Sequence, residues 1–153
     1  MSDTYDIERS ITIEASIEEV YGRVVDLHEM EKWSPWVGLD PEMKTTYTGP
    51  GSGVGSRYSW SGNRKVGEGS MEITGVEENS RVEMDLEFLR PFKARNQVSL
   101  TLRPVDHGTH VTWAMSGRNT LGTRVMGIFK SMDSLMGPDF EKGLAKLKDL
   151  AEG

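Results

Sequence analysis

Residues 7 to 14, IERSITIE, alternate strictly: Ile7, Arg9, Ile11 and Ile13 share one face, and Glu8, Ser10, Thr12 and Glu14 the other. A period of two with one apolar face predicts a half-buried strand. Ser16-Ile17-Glu18-Glu19 follows and reads as a capping box, the serine accepting from an orphan amide while Glu19 reaches back. It opens a predicted helix over 17–26, with Ile17, Val20, Tyr21, Val24 and Val25 on one face. A further helical turn or two carries HEMEKW before Ser34-Pro35 stops it.

From Met43 to Gly117 the period is two throughout. Val82, Met84, Leu86 and Phe88 alternate with charged residues, as do Ala94, Asn96, Val98, Leu100 and Leu102 with polar ones. Thr109, Val111, Trp113 and Met115 form the next such face. Turn-forming residues separate the runs, which predicts an antiparallel meander of six strands. Acidic Glu83, Asp85 and Glu87 are expected to lie across from Lys93 and Arg95 on its outer face. The last third changes period: Val125, Phe129, Met132, Met136, Phe140, Leu144, Leu147 and Ala151 make a stripe at helical spacing. Gly137-Pro138 interrupts it, predicting a kink or break with Asp139 near a new helix start. An antiparallel sheet solvated on one face must cover the other, and the C-terminal helix is the element large enough. The expected architecture is α+β, a curved seven-stranded antiparallel sheet around a long C-terminal helix, with two short helices between the first and second strands.

Composition narrows the picture. The 153 residues suit a single domain over 1–153 with a substantial core. A net charge of −6 argues against nucleic acid as a partner, because phosphate binding needs a basic face. No apolar run approaches the roughly 20 residues of a membrane helix, so stable membrane insertion is not expected, and MSDTYDIERS lacks the features of a signal peptide. Cysteine is absent, which fits a reducing, cytoplasmic setting.

Seven of the 17 glycines fall in residues 46–69, TYTGPGSGVGSRYSWSGNRKVGEG. A dinucleotide fingerprint needs its third glycine where Val54 or Ser56 stands, and a helix where RYSWS reads as a strand. No Gly-Lys-Ser/Thr triplet completes a P-loop. GPGSGVG is instead a turn, and SGN a tight hairpin into the next strand. Gly67 and Gly69 predict a bulge or strong bending, and an inward Gly69 beside Tyr58 and Trp60 is expected to open space.

Candidate chemistry is sparse. Of the three histidines, His28 sits at a helix end, His107 in a turn and His110 on an outward face. His107 and His110 lack a third clustered ligand, so no metal is expected. Arg9 and Asn96 break the inward apolar pattern. Arg9 is expected to snorkel or to pair with an acid; Asn96 needs a water, the Tyr58 hydroxyl or a ligand oxygen. Glu68 and Glu72 are expected to face solvent, unless a glycine bulge turns Glu68 inward. No convergent carboxylate pair or Ser-His-Asp set can be assembled.

The SPW at 34–36, the DP…Y-x-G-P-G-x-G-V-G-S-x-Y-x-W-x-G-N core from Asp40 to Asn63, and FEKGLAKLK at 140–148 resemble the START-like (SRPBCC) superfamily. Within it the chain is similar to the polyketide cyclase/dehydrase and lipid-transfer group, from about Tyr5 to Glu152. The resemblance implies a helix-grip fold with a pocket between the inner sheet face and the C-terminal helix. Inward positions that would line it are the aromatics Trp33, Trp36, Tyr47, Tyr58, Trp60, Phe88, Trp113 and Phe129. Met71, Met84, Met115, Met132 and Met136 would add an adaptable wall, and Asn96 a polar point. The leading expectation is a carrier or binding protein for a small hydrophobic or amphipathic molecule, without a cofactor, as a monomer or homodimer. An alternative is a polyketide-type cyclase or dehydratase in which Tyr58 or Asn96 polarises a carbonyl; another is an interaction module with a vestigial cavity. The missing internal His/Asp/Glu set favours binding over catalysis.

Overall fold

The alternating stretch at the start forms the first strand, β1 (Thr4–Ile13), of a computed structural model that describes residues 4–35, 42–62, 67–90, 93–118 and 132–153. Helices α1 (Ile17–Val24) and α2 (Leu27–Glu31) follow. Six strands come next: β2 (Lys44–Thr48), β3 (Arg57–Ser61), β4 (Glu68–Glu77), β5 (Arg81–Arg90), β6 (Ala94–Val105) and β7 (Gly108–Arg118). The last helix, α3, spans Met132–Glu152. All seven strands form one antiparallel sheet in the order β1-β7-β6-β5-β4-β3-β2, so the meander is intact and β1 closes onto its final strand. This is the helix-grip arrangement the sequence predicts.

Several local expectations need correcting. Glu19 N–H donates to Ser16 Oγ at 3.2 Å, yet the Glu19 carboxylate does not complete the capping box, because it takes Arg23 Nε at 3.1 Å one turn along. The helix ends at Val24, and Asp26 starts α2 by accepting from His28 N–H at 2.8 Å. The two helices are fastened by Trp33, whose indole N–H donates to the Arg23 carbonyl at 3.0 Å. On the outer face only Glu87 lies opposite a basic residue, Arg95; Glu83 faces Ser99 and Asp85 faces Gln97. Lys93 precedes β6 and pairs with none of them.

Helix α3 runs through Gly137-Pro138 without a break. Proline removes one amide but is tolerated on the exposed side of a helix held by packing, and Pro138 is exposed. Gly137 is buried, and the Arg9 guanidinium occupies the place its side chain would take. Arg9 continues to Glu141, Nε to Oε2 at 2.9 Å, so it bridges β1 to the helix as a paired cation. Phe140, Leu144 and Leu147 of α3 meet Ile7, Ile13, Leu100, Val111 and Trp113 of the sheet and Val20 and Val24 of α1 in one buried cluster. Each such side chain contributes about 1.5–3 kcal/mol by leaving water.

Candidate functional site

The register of the sheet sorts the inner face into rows that cross the strands. The lower rows are sealed. Ile7, Met115, Val98, Met84 and Ile73 are successive partners across five strands, and all five are buried. Trp113 in the next row stacks on Phe140 at 4.1 Å and 6° and meets Trp33 edge-on at 5.3 Å. Gly143 makes that fit possible, since a side chain there would meet Pro35 and Trp113 at 3.0 Å. Of the residues nominated as pocket lining, Trp33, Met84, Trp113 and Met115 therefore belong to the packed core.

The row above differs in chemistry. Tyr5, Gly117, Asn96, Leu86, Met71, Tyr58 and Tyr47 are cross-strand neighbours over all seven strands, from one sheet edge to the other. Above them, Phe88 faces Gly69, and Gly69 faces Trp60. Tyr47, Tyr58, Trp60 and Phe88 form a continuous shelf, with centroid separations of 5.1, 5.9 and 5.9 Å. These four rings and Met71 are only half-buried, unlike the rows below. Trp36, Phe129 and the side chains of Met132 and Met136, also nominated, lie outside the described residues.

Glycine chemistry builds the shelf. The positive φ of Gly49, Gly53 and Gly55 confirms the turn reading, and Gly53 N–H ties the loop to the Val25 carbonyl at 3.1 Å. The connection after β3 is longer than the expected tight hairpin: Ser61 ends one strand and Glu68 starts the next, with Gly62 N–H reaching the Gly67 carbonyl. The register shifts between Glu68 and Gly69, which is the predicted bulge. Glu68 stays on the outer face, where Arg90 pairs with it at 3.3 Å. Gly69, however, does not leave empty space. Its missing side chain is replaced by the Trp60 ring, 2.7 Å from the Cβ position, so the glycine seats the indole against the sheet.

Helix α2 closes the far end. His28 stacks on Tyr47 at 3.8 Å, and the Tyr47 hydroxyl donates to Glu31 Oε2 at 2.6 Å. Burial, then that hydrogen bond, raises the Tyr47 pKa. Burial likewise pushes the Tyr58 hydroxyl up to about 12, with the Glu31 charge adding to it, so it is a neutral donor at ordinary pH. A cleft of about 260 Å³ opens beside this end, between Leu27-His28 and the Gly49–Gly51 turn, with Tyr47 as its one nominated residue.

Asn96 is 1% exposed and is held by a residue that pattern reasoning missed. Its Oδ1 accepts from the Tyr5 hydroxyl, not from Tyr58. The bond spans β7 because Gly117 stands between them, its Cβ position taken by Asn96 Oδ1 and the Tyr5 ring. The signal was available: Tyr5 shares the parity of Ile7, and Gly117 that of Met115. Among the described residues, no three His, Asp or Glu side chains cluster to hold a metal, and no helix is long and apolar enough to cross a membrane.

Comparison with known proteins agrees with this architecture. A family model described as polyketide cyclase / dehydrase and lipid transport matches residues 4–152. A solved protein from Nitrosospira multiformis superposes with a TM-score of 0.68 at 22% identity, covering 96% of each chain. One from Chromobacterium violaceum gives 0.68 at 15% identity, covering 100% of this chain and 99% of that one. The Aha1 dimer from Colwellia psychrerythraea gives 0.63 at 21% identity, covering 97% of this chain and 96% of that one. At these identities the likeness is one of fold. No curated protein matches in sequence.

Proposed function

Since the chain belongs to the polyketide cyclase / dehydrase and lipid transport family, we propose that it binds a small hydrophobic or amphipathic molecule, lipid- or polyketide-like, on the aromatic shelf between sheet and C-terminal helix. The observation carrying this reading is the half-buried run Tyr47, Tyr58, Trp60 and Phe88 with Met71, set directly above a fully sealed core. Folding draws only part of the available burial energy from these four part-exposed rings, which lie in two adjacent inward-facing rows, whereas a planar or flexible apolar guest gains from covering each of them. Such binding works without a cofactor and suits a monomer or a homodimer in the cytoplasm.

A second reading, a cyclase or dehydratase acting on the same guest, draws support from two neutral donors, Tyr58 and Asn96, in one cross-strand row. They would polarise a carbonyl while the walls restrict the substrate. Native mass spectrometry of protein purified from its own host tests both. A stoichiometric apolar molecule, lost on Trp60→Ala, supports binding, and turnover of that molecule selects the enzyme. Affinity for every hydrophobe unchanged by Tyr58→Phe and Trp60→Ala would sink the site.

A further inference from the structure

The sheet row that carries Asn96 is otherwise lined on its β4 and β5 side by Leu86 and Met71, with Val98 and Met115 in the row below. An asparagine in such surroundings costs desolvation that leucine avoids, unless both arms of its amide are satisfied. One arm is: the oxygen takes the Tyr5 hydroxyl across the slot left by Gly117. The other is not. Asn96 Nδ2 is buried and has no hydrogen-bond partner among the described residues. Because Oδ1 is turned toward β7 and β1, the amide nitrogen diverges from Tyr5, away from that edge of the sheet.

We propose that Asn96 is a recognition point for a neutral carbonyl oxygen of the guest, its carboxamide nitrogen donating while Tyr5 holds the amide in register. This deepens the binding function proposed above and rests on it. It specifies a class of ligand: a planar or flexible apolar body for the shelf, with a ketone, ester or amide carbonyl at its inner end. A carboxylate fits less well. Among the described residues the Asn96 row and the row below it carry no cation, and Arg9, two residues beyond Ile7 on β1, is bound to Glu141. Gly117 and Tyr5 then serve as positioning residues, since they reach the guest only through the amide.

The test uses the full chain and two probes alike in shape, 2-acetylnaphthalene and 2-ethylnaphthalene, titrated by NMR with observation of the Asn96 side-chain amide. The ketone is expected to bind roughly tenfold more tightly, the ratio that one well-made hydrogen bond supports, and to move the Asn96 Nδ2 protons downfield. Asn96→Leu is expected to abolish the ketone's advantage, so that the two probes bind alike. Tyr5→Phe, which keeps the ring, is expected to lose part of the preference and decides the matter if the Asn96 variant does not fold. Equal binding of both probes with a stationary Asn96 amide overturns the carbonyl assignment and leaves the shelf standing. Failure of both probes to bind, with no shift at Tyr58 or Trp60, overturns the shelf and the assignment together.

Discussion

The two halves of the inner sheet face are made by the same strands, a few residues apart, and have opposite characters. The lower half, from Ile7 to Ile73, is aliphatic, fully buried and keyed into α3 through Phe140 and Trp113. The upper half, from Tyr5 to Tyr47 and on to Trp60 and Phe88, is rich in aromatic rings and hydroxyls, and is half-open at Tyr47, Tyr58, Trp60, Met71 and Phe88. A core needs area and fit, which aliphatic side chains supply without polar atoms. A surface meant to exchange one guest for water needs rings and donors that tolerate both. On the binding function proposed above, one sheet divides stability from recognition along its length.

The comparison breaks most easily with a pair of truncations. Phe140→Ala is expected to cost about 3–5 kcal/mol in equilibrium unfolding, as aromatic deletions from sealed cores do. Trp60→Ala removes a larger ring, yet should cost under about 2 kcal/mol, because its surface is only partly withdrawn from water. Equal losses would mean that the shelf is core after all. Trp33→Phe comes next, at about 1–3 kcal/mol, for the indole hydrogen bond to the Arg23 carbonyl and the gap it leaves. The double change Tyr5→Phe with Asn96→Leu runs the other way. Replacing both partners of a half-satisfied polar pair by apolar groups should raise stability by about 1 kcal/mol, marking those residues as kept for something other than folding. Arg95→Ala on the outer face should change stability by about 0.5 kcal/mol or less, since its pair with Glu87 is solvent-exposed.

The shelf also has a pH signature. The Tyr58 pKa is raised in the folded protein, from 10.0 to about 12, so the neutral phenol is favoured by folding. Its contribution is fully present below pH 10 and is lost as pH rises from there through about 12. Tyr47, raised as well, acts in the same sense. Denaturant midpoints measured at alkaline pH should fall across that window, and Tyr58→Phe should flatten part of the decline.

Much of the fold was legible because period decides it. The parity of Val82 to Phe88, of Asn96 to Leu102 and of Thr109 to Met115 assigned faces that the structure reproduces, and the stripe through Phe140, Leu144 and Leu147 marked the covering helix. What parity cannot supply is the third dimension of a row. It places Trp113 and Trp60 alike on the inside, but only packing against α3 separates the sealed ring from the half-open one. Gly69 illustrates the same limit: a missing side chain in sequence is a vacancy or a seat depending on which neighbour leans over it. Tyr5 was overlooked for a related reason, since its partner Asn96 lies far along the chain and is reached only across Gly117. The break that Pro138 allows does not occur, because local propensity yields where tertiary contacts hold a helix.

Pairing β1 with β7 has a consequence for how the chain comes to be folded. Ile13 meets Thr109 across roughly a hundred residues of intervening sequence. On a ribosome adding about 5–20 residues per second, the first strand waits seconds for a partner that has not yet been made. Until then its isoleucines face water or a temporary companion, and the meander from β2 to β6 can assemble ahead of it from neighbouring hairpins. The native contacts that close the structure are those of β1 with β7 and of Arg9 with the notch at Gly137. Contact order of this kind slows folding, and it ties completion of the sheet to the pairing of β1 with β7.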